Sequence, residues 1–151
     1  MAQCSVSTRF GDLTLTEEDG AITALRWGRA AQQDDTPLLA RAALQLAEYD
    51  AGVRIKFDLP LRVAGSALQR DVCAAILAIP FGHTRTYGDI ARDLGVPAQA
   101  VGQACGGNPI PIVIPCHRVM GAKGLTGFSG AGGIETKVAL LRHEGAAGLL
   151  I

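Results

Sequence analysis

Cys116 and His117 are neighbours in the run Pro115-Cys116-His117-Arg118. A free thiol titrates near 8.5 and is mostly protonated at neutral pH, so it needs a base to become the nucleophilic thiolate. An imidazole supplies that base, directly or through one water, and is usually oriented by a carboxylate. Asp89, Asp93, Glu135 and Glu144 are the carboxylate candidates in the same half of the chain. Adjacent strand residues point to opposite faces, so joining Cys116 to His117 takes a bridging water or a bend after Pro115. The plain alternative is an inert buried cysteine beside an unrelated histidine.

The other thiols offer less. Cys73 lies in a helical stretch and reads as core, Cys105 as packing at a helix end, and Cys4 is near the N-terminus. No two cysteines have zinc-ligand spacing, so neither a structural metal nor any other cofactor is expected. A phosphate-cradling glycine-lysine loop and the dinucleotide-binding glycine pattern are also missing from the sequence.

These residues must be positioned by a small globular scaffold. The chain has 151 residues, 48% apolar and 19% charged, with 14 basic and 14 acidic side chains. That composition excludes a mainly disordered chain, and the length buries roughly 68–70% of the unfolded surface without staples. No apolar run is long enough for a membrane span, and residues 1–14 lack the basic start and apolar centre of a signal peptide. The expectation is a cytoplasmic protein with reduced thiols and no membrane partner. Zero net charge argues against a strong nonspecific polyanion binder but leaves room for a local basic face. Residues 1–63 hold 7 basic and 9 acidic side chains; residues 64–151 hold 7 and 5, together with all three histidines. A boundary is placed there, giving domains 1–63 and 64–151, with Ser66 as the N-cap of the next helix.

In the first domain, residues 5–9 and 12–16 flank Phe10-Gly11 as a hairpin, and Asp19-Gly20 turns the chain into a third strand, Ala21–Trp27. Thr36 and Pro37 start a helix that carries Leu38, Leu39, Ala42, Leu44, Leu46 and Ala47. Residues 54–59 alternate Ile55, Phe57 and Leu59 and predict a fourth strand. In the second domain, residues 67–78 predict a helix with Leu68, Val72, Ala75, Ile76 and Ile79 on one face. Tyr87–Leu94, the turn Gly95-Val96-Pro97, and residues 98–105 have the pattern of a helix-turn-helix, the plain alternative being any helical hairpin. Pro109, Pro111 and Pro115 forbid a helix and favour extended backbone that delivers Cys116 into the core. Six glycines in 121–133 predict a loop or hairpin. Residues 136–143 predict a closing helix that stops at Gly145.

The string Ile114-Pro115-Cys116-His117-Arg118-Val119, after Asn108-Pro109 and a helix-turn-helix, resembles the O6-alkylguanine-DNA alkyltransferases, or methylated-DNA–protein-cysteine methyltransferases. The likeness spans residues 66–151. It includes Pro80-Phe81-Gly82 before Tyr87, Val101-Gly102-Gln103-Ala104, Gly127-Phe128-Ser129 and the run from Leu140 to Gly145. Residues 1–63 match mainly by element order. The resemblance implies an α/β (α+β) fold: a small ribonuclease H-like sheet-plus-helix domain followed by a winged helix-turn-helix domain. It implies DNA repair without a cofactor. Double-stranded DNA containing O6-alkylguanine is engaged through the minor groove, the base is flipped, and its alkyl group passes irreversibly to Cys116, once per molecule. By the same resemblance His117 relays the thiol proton through water, Glu144 orients His117, and Asn108 fixes the turn leading from the recognition helix to a cysteine strand. Tyr87 bonds the base ring at N3, the Cys116 and Val119 carbonyls take the exocyclic amine, and the Ser129 backbone N–H faces O6. Ala98, Gln99, Ala100 and Gly102 meet DNA, while Arg118 joins the two domains. The protein is expected to act as a monomer, nucleoid-associated only when bound to DNA.

Two departures stand out. Gln99-Ala100-Val101 replaces the family's Arg-Ala-Val, whose arginine fills the gap left by the flipped base, and the turn before it is two residues shorter than usual. Glutamine can still bond the orphaned base but loses the charge attraction to DNA. Phe128 replaces the more usual tyrosine, and the zinc ligands of some members are missing. The competing readings are a sensor that binds the lesion without repairing it, against which Cys116 argues, and an unrelated helix-turn-helix regulator.

Overall fold

A computed structural model describes residues 1–121 and 133–146. The fold is mixed α/β, in two compact units, Met1–Val63 and Ala64–Ile151.

The first unit is an antiparallel sheet ordered β1 (Ala2–Thr8), β2 (Gly11–Glu18), β3 (Ala21–Trp27), with one helix, α1 (Pro37–Asp50). Asp19 and Gly20 both have positive φ, 48° and 79°, as a tight hairpin turn demands. Leu13, Leu15, Ile22 and Leu25 are buried, as are Leu39, Ala42, Leu46 and Tyr49 of α1. Thr36 caps α1 by accepting from Leu39 N. Leu44 does not join the core; it is 61% exposed.

The strand expected over 54–59 does not form, and Ile55 is 65% exposed. The reason is a side chain. Buried Gln45 takes both backbone groups of Asp58, Oε1 accepting from its N–H (2.9 Å) and Nε2 donating to its carbonyl (3.0 Å). Those groups are then unavailable to a ladder. The chain meets the sheet only further on, where Ile22 N donates to Pro60 O (2.8 Å) and Arg62 N to Ile22 O (3.0 Å).

The second unit contains α2 (Ala67–Leu77), β4 (Arg85–Thr86), α3 (Tyr87–Leu94), α4 (Ala98–Gly106), β5 (Val119–Met120) and α5 (Ile134–His143). Ser66 caps α2, and a reciprocal Thr86–Asp89 capping box starts α3. Gly95 ends α3 in the left-handed region (φ 68°, ψ 37°), and Pro97 begins α4. Two short helices joined by a tight turn thus lie where the sequence reading puts them. Val72, Ile76, Ile90, Val101, Ile110, Ile114, Leu140 and Leu141 form the buried interior. The loop or hairpin expected over 121–133 lies, apart from its ends, outside the described residues.

Candidate active site

The segment before Cys116 is not the extended strand expected. Ile112 has φ 72°, and Val113 N donates back to Pro111 O (2.9 Å), a γ-turn of the rare, strained hand. A second such bond, Cys116 N to Ile114 O (2.8 Å), closes around Pro115 at φ −80°, ψ 66°. Prolines cannot donate to a ladder, so the backbone satisfies itself locally. A β-branched residue at positive φ costs about 1–3 kcal/mol and persists only when its surroundings enforce it. Asn108 is central to that enforcement: Nδ2 donates to Ile114 O (2.8 Å) and Oδ1 accepts from Ile110 N (3.0 Å). Its own N–H donates to Cys105 O (3.2 Å), which ties the end of α4 to the reactive segment.

Cys116, His117 and Arg118 then form one buried 3-10 turn. The bend after Pro115 thus places cysteine and histidine in one 3-10 turn rather than in a strand. His117 Nε2 lies 2.7 Å from Glu144 Oε2. Of the four carboxylates left open by the sequence, Glu144 is the partner, delivered by the C-terminal end of α5. Asp89 serves its capping box, and Asp93 accepts from Arg85 (2.8 Å). Among the described residues, His117 Nδ1 is the buried side-chain nitrogen or oxygen without a hydrogen-bond partner.

The contacts of Arg118 lie within the second unit. Nε and Nη2 donate to Glu144 (2.7 and 3.2 Å), Nη1 donates to Ile79 O (2.7 Å), and the guanidinium lies 5.7 Å from the Phe81 ring centre. Burial alone would raise the Glu144 carboxyl, but the hydrogen bonds from His117 and Arg118 and the Arg118 charge hold it at about 2. Burial holds the His117 imidazole below its ordinary value, against the pull of Glu144. The resting state is therefore carboxylate, neutral imidazole and guanidinium. An ionised Glu144 accepts, so Nε2 carries the proton and Nδ1 keeps the lone pair. Burial pushes the Cys116 thiol up, with Asn108 and the Lys137 charge pulling the other way. The nucleophile rests protonated, and a base with a free lone pair is available.

Lys137 was missed by sequence reasoning. It is 1% exposed, and Nζ donates to Val119 O (2.7 Å). The available signal was its spacing: Leu140 and Leu141 follow it by three and four residues, about one helical turn, so Lys137 lies on their apolar stripe.

The remaining predicted residues fall in separate places. Tyr87 is the first residue of α3 and half-buried. Val119 is buried in β5, which pairs with β4 through Arg85–Val119 and Thr86–Met120, so the strand leading into Tyr87 is braced by the strand carrying Val119. Ala98 and Gln99 are exposed at the start of α4, with Ala100 and Gly102 half-buried. A side chain at Gly102 would meet open space. Ser129 and Phe128 lie outside the described residues.

The family described as "6-O-methylguanine DNA methyltransferase, DNA binding domain" matches residues 67–146. A methylated-DNA–protein-cysteine methyltransferase of Mycolicibacterium paratuberculosis is 43% identical, over 93% of this chain and 90% of that protein. The constitutive one of Bacillus subtilis is 41% identical over 93% of each. The crystal structure of Mycobacterium tuberculosis OGT in complex with DNA superposes with a TM-score of 0.86 at 41% identity, covering 96% of this chain and 93% of that one.

Proposed function

The chain belongs to the 6-O-methylguanine DNA methyltransferase family, and from that we propose that it repairs double-stranded DNA by moving the alkyl group of O6-alkylguanine to Cys116. The observation that carries this reading is the Cys116–His117 turn, whose imidazole is fixed through Nε2 by an ionised Glu144 with Nδ1 unpartnered. The Cys116 proton passes through water to Nδ1. The thiolate attacks the alkyl carbon, an S–C bond forms as the C–O6 bond breaks, and the electron pair leaves on the purine. A proton donated at N3 by Tyr87 makes that departure easier. The thioether has no route back, so each molecule turns over once.

The Val119 carbonyl, and that of Cys116, would take the guanine 2-amino group, and Ser129 N–H would face O6. Asn108 would hold the turn. A flipped base reaches the pocket while α4 lies in the minor groove, its Ala98, Gln99, Ala100 and Gly102 face against DNA. We read the first unit as a ribonuclease H-like scaffold, the second as a winged helix-turn-helix, and the protein as a cytoplasmic monomer.

Intact mass after incubation with an O6-methylguanine duplex tests the reading, with Cys116→Ser alongside. One added methyl, lost in the variant, is expected. Tight lesion binding with no mass gain would overturn it in favour of a lesion sensor.

A further inference from the structure

Burying an ammonium costs several kcal/mol unless a partner compensates, and buried charges are normally paired. Lys137 is 1% exposed, yet among the described residues no carboxylate pairs with it, and its recorded hydrogen bond is to the Val119 carbonyl at 2.7 Å. Cys116, three residues before Val119, is the alkyl acceptor of the reading above. The Val119 N–H is held as well, donating to Cys116 O. Val119 also belongs to the two-residue ladder with β4, whose next residue is Tyr87. One backbone unit is thus pinned to the nucleophile's own turn at its N–H, to α5 at its carbonyl, and to the strand that carries Tyr87.

We propose that Lys137 is a positioning residue for base recognition: by holding the Val119 carbonyl it fixes the acceptor that reads the guanine 2-amino group. A carbonyl oxygen has two lone pairs, and the lysine donor orients the group while leaving a second acceptor direction. The inference rests on the alkyltransferase reading and deepens it: Lys137 sets which purines transfer well. A site built to bond an N–H discriminates strongly against an analogue lacking it, but only while the acceptor is held in place.

The charge of Lys137 also acts on its surroundings. It acts on Cys116 and His117 of the turn and on Cys105 of α4, Cys73 acts on Cys116, and Glu144 and Arg118 act on His117. Charge and position make different predictions. Loss of charge near the thiol slows every substrate alike and moves the pH profile of transfer upward. Loss of a fixed acceptor slows substrates bearing the 2-amino group and spares those without it.

The test compares transfer from O6-benzylguanine and from O6-benzylhypoxanthine, which lacks the 2-amino group, to full-length wild type and Lys137→Met by intact mass between pH 6 and 9. Both substrates meet the same preparation, so an unfolded fraction cancels in the ratio of rates. The preference for the 2-amino substrate should fall by about tenfold in Lys137→Met, the scale of one lost hydrogen bond. Should Met leave no folded protein, Lys137→Gln, which removes the charge and shortens the reach to the carbonyl, is read the same way. An unchanged ratio overturns the proposal: with the profile shifted upward, Lys137 acts as a charge on the thiol; with no shift, it is structural. Wild type inert towards both bases and towards the O6-methylguanine duplex would instead overturn the alkyltransferase reading, and this inference with it.

Discussion

Replacing Glu144 by glutamine keeps the volume of a side chain that is 4% exposed and changes only its charge and hydrogen-bond polarity. The carboxylate accepts from His117 Nε2, Arg118 Nε and Arg118 Nη2. An amide has one acceptor atom for those three. If its oxygen faces Arg118 Nε, its NH2 sits where Oε2 was and donates to His117 Nε2. The ring must then protonate Nδ1, the atom that takes the thiol proton in the mechanism we propose. If the amide is reversed, its NH2 opposes the Arg118 Nε donor and a buried guanidinium loses its counter-ion. Removing one partner of a buried pair costs about 3–5 kcal/mol; the retained acceptor puts Glu144→Gln near the lower end, about 3 kcal/mol. In a chain of this length that is roughly 6–12 °C of melting temperature. Loss of the proton acceptor removes a general-base contribution of about 10²–10⁴ in rate. The assay is intact-mass transfer from O6-benzylguanine, which needs no DNA, at a temperature where thermal unfolding shows the variant folded. Wild-type rate and wild-type melting in Glu144→Gln would refute the reasoning about both tautomer and ion pair. A stable variant that is slow would leave the tautomer argument standing and refute the stability estimate.

Gln99→Arg should tighten duplex binding and steepen its dependence on log salt by about one unit, the signature of one more phosphate contact. It should leave the free-base reaction unchanged; fluorescence anisotropy across a salt series checks the first and mass spectrometry the second. Asn108→Ala removes both side-chain clamps on the strained Ile112 turn and should destabilise the second unit by about 1–3 kcal/mol in urea unfolding, with slower transfer. Acidification should destabilise the fold through two groups. Glu144 is held at about 2, below an unfolded value of roughly 4.3, so its contribution is present above that value and disappears as pH falls through 2. His117 is buried neutral with a lowered pKa, so the unfolded chain takes its proton first and stability begins to fall below about pH 6.5. Urea midpoints at pH 7.5, 6 and 5 should fall in that order, and equal midpoints would contradict a neutral buried imidazole.

What could be read in advance follows from where the determining groups lie in sequence. Turns and caps are local. Asp19-Gly20, Thr36-Pro37, Ser66 and Gly95 mark their elements because the residues that set the backbone are adjacent to the bend. The segments that departed are governed by distant partners. Residues 54–59 have a strand's alternation, but Gln45, 13 residues before Asp58, occupies the backbone groups the strand would use. The run before Cys116 has a strand's composition, yet it folds into successive tight turns clamped by Asn108. Glu144 was one of four equivalent carboxylates until α5 brought it to His117, and the family likeness, rather than spacing, singled it out. Lys137 carried no chemical signal beyond a charge on an apolar stripe. Its partner is a backbone carbonyl 18 positions away, of a kind that every residue possesses.

The charges of this protein also divide by depth, with a consequence for its action on DNA. Arg118, Glu144, His117 and Lys137 are all buried, and buried interactions are only weakly screened by salt. Helix α4, which we propose meets DNA, has no charged residue from Ala98 to Gly106, and two cations of the neighbouring segment, Arg85 and Arg92, are paired with Asp93 and Asp89. Chemistry and DNA attraction therefore draw on separate groups. Raising salt should leave transfer from a free base almost unchanged. Its effect on duplex repair should come from phosphate contacts outside α4, and so be shallower than in a relative with arginine at the position of Gln99. A variant that restores the arginine changes access to the lesion without touching the reacting network. The difference between duplex and free-base rates across salt thus measures base capture, while the free-base rate alone measures the chemistry we propose for Cys116, His117 and Glu144.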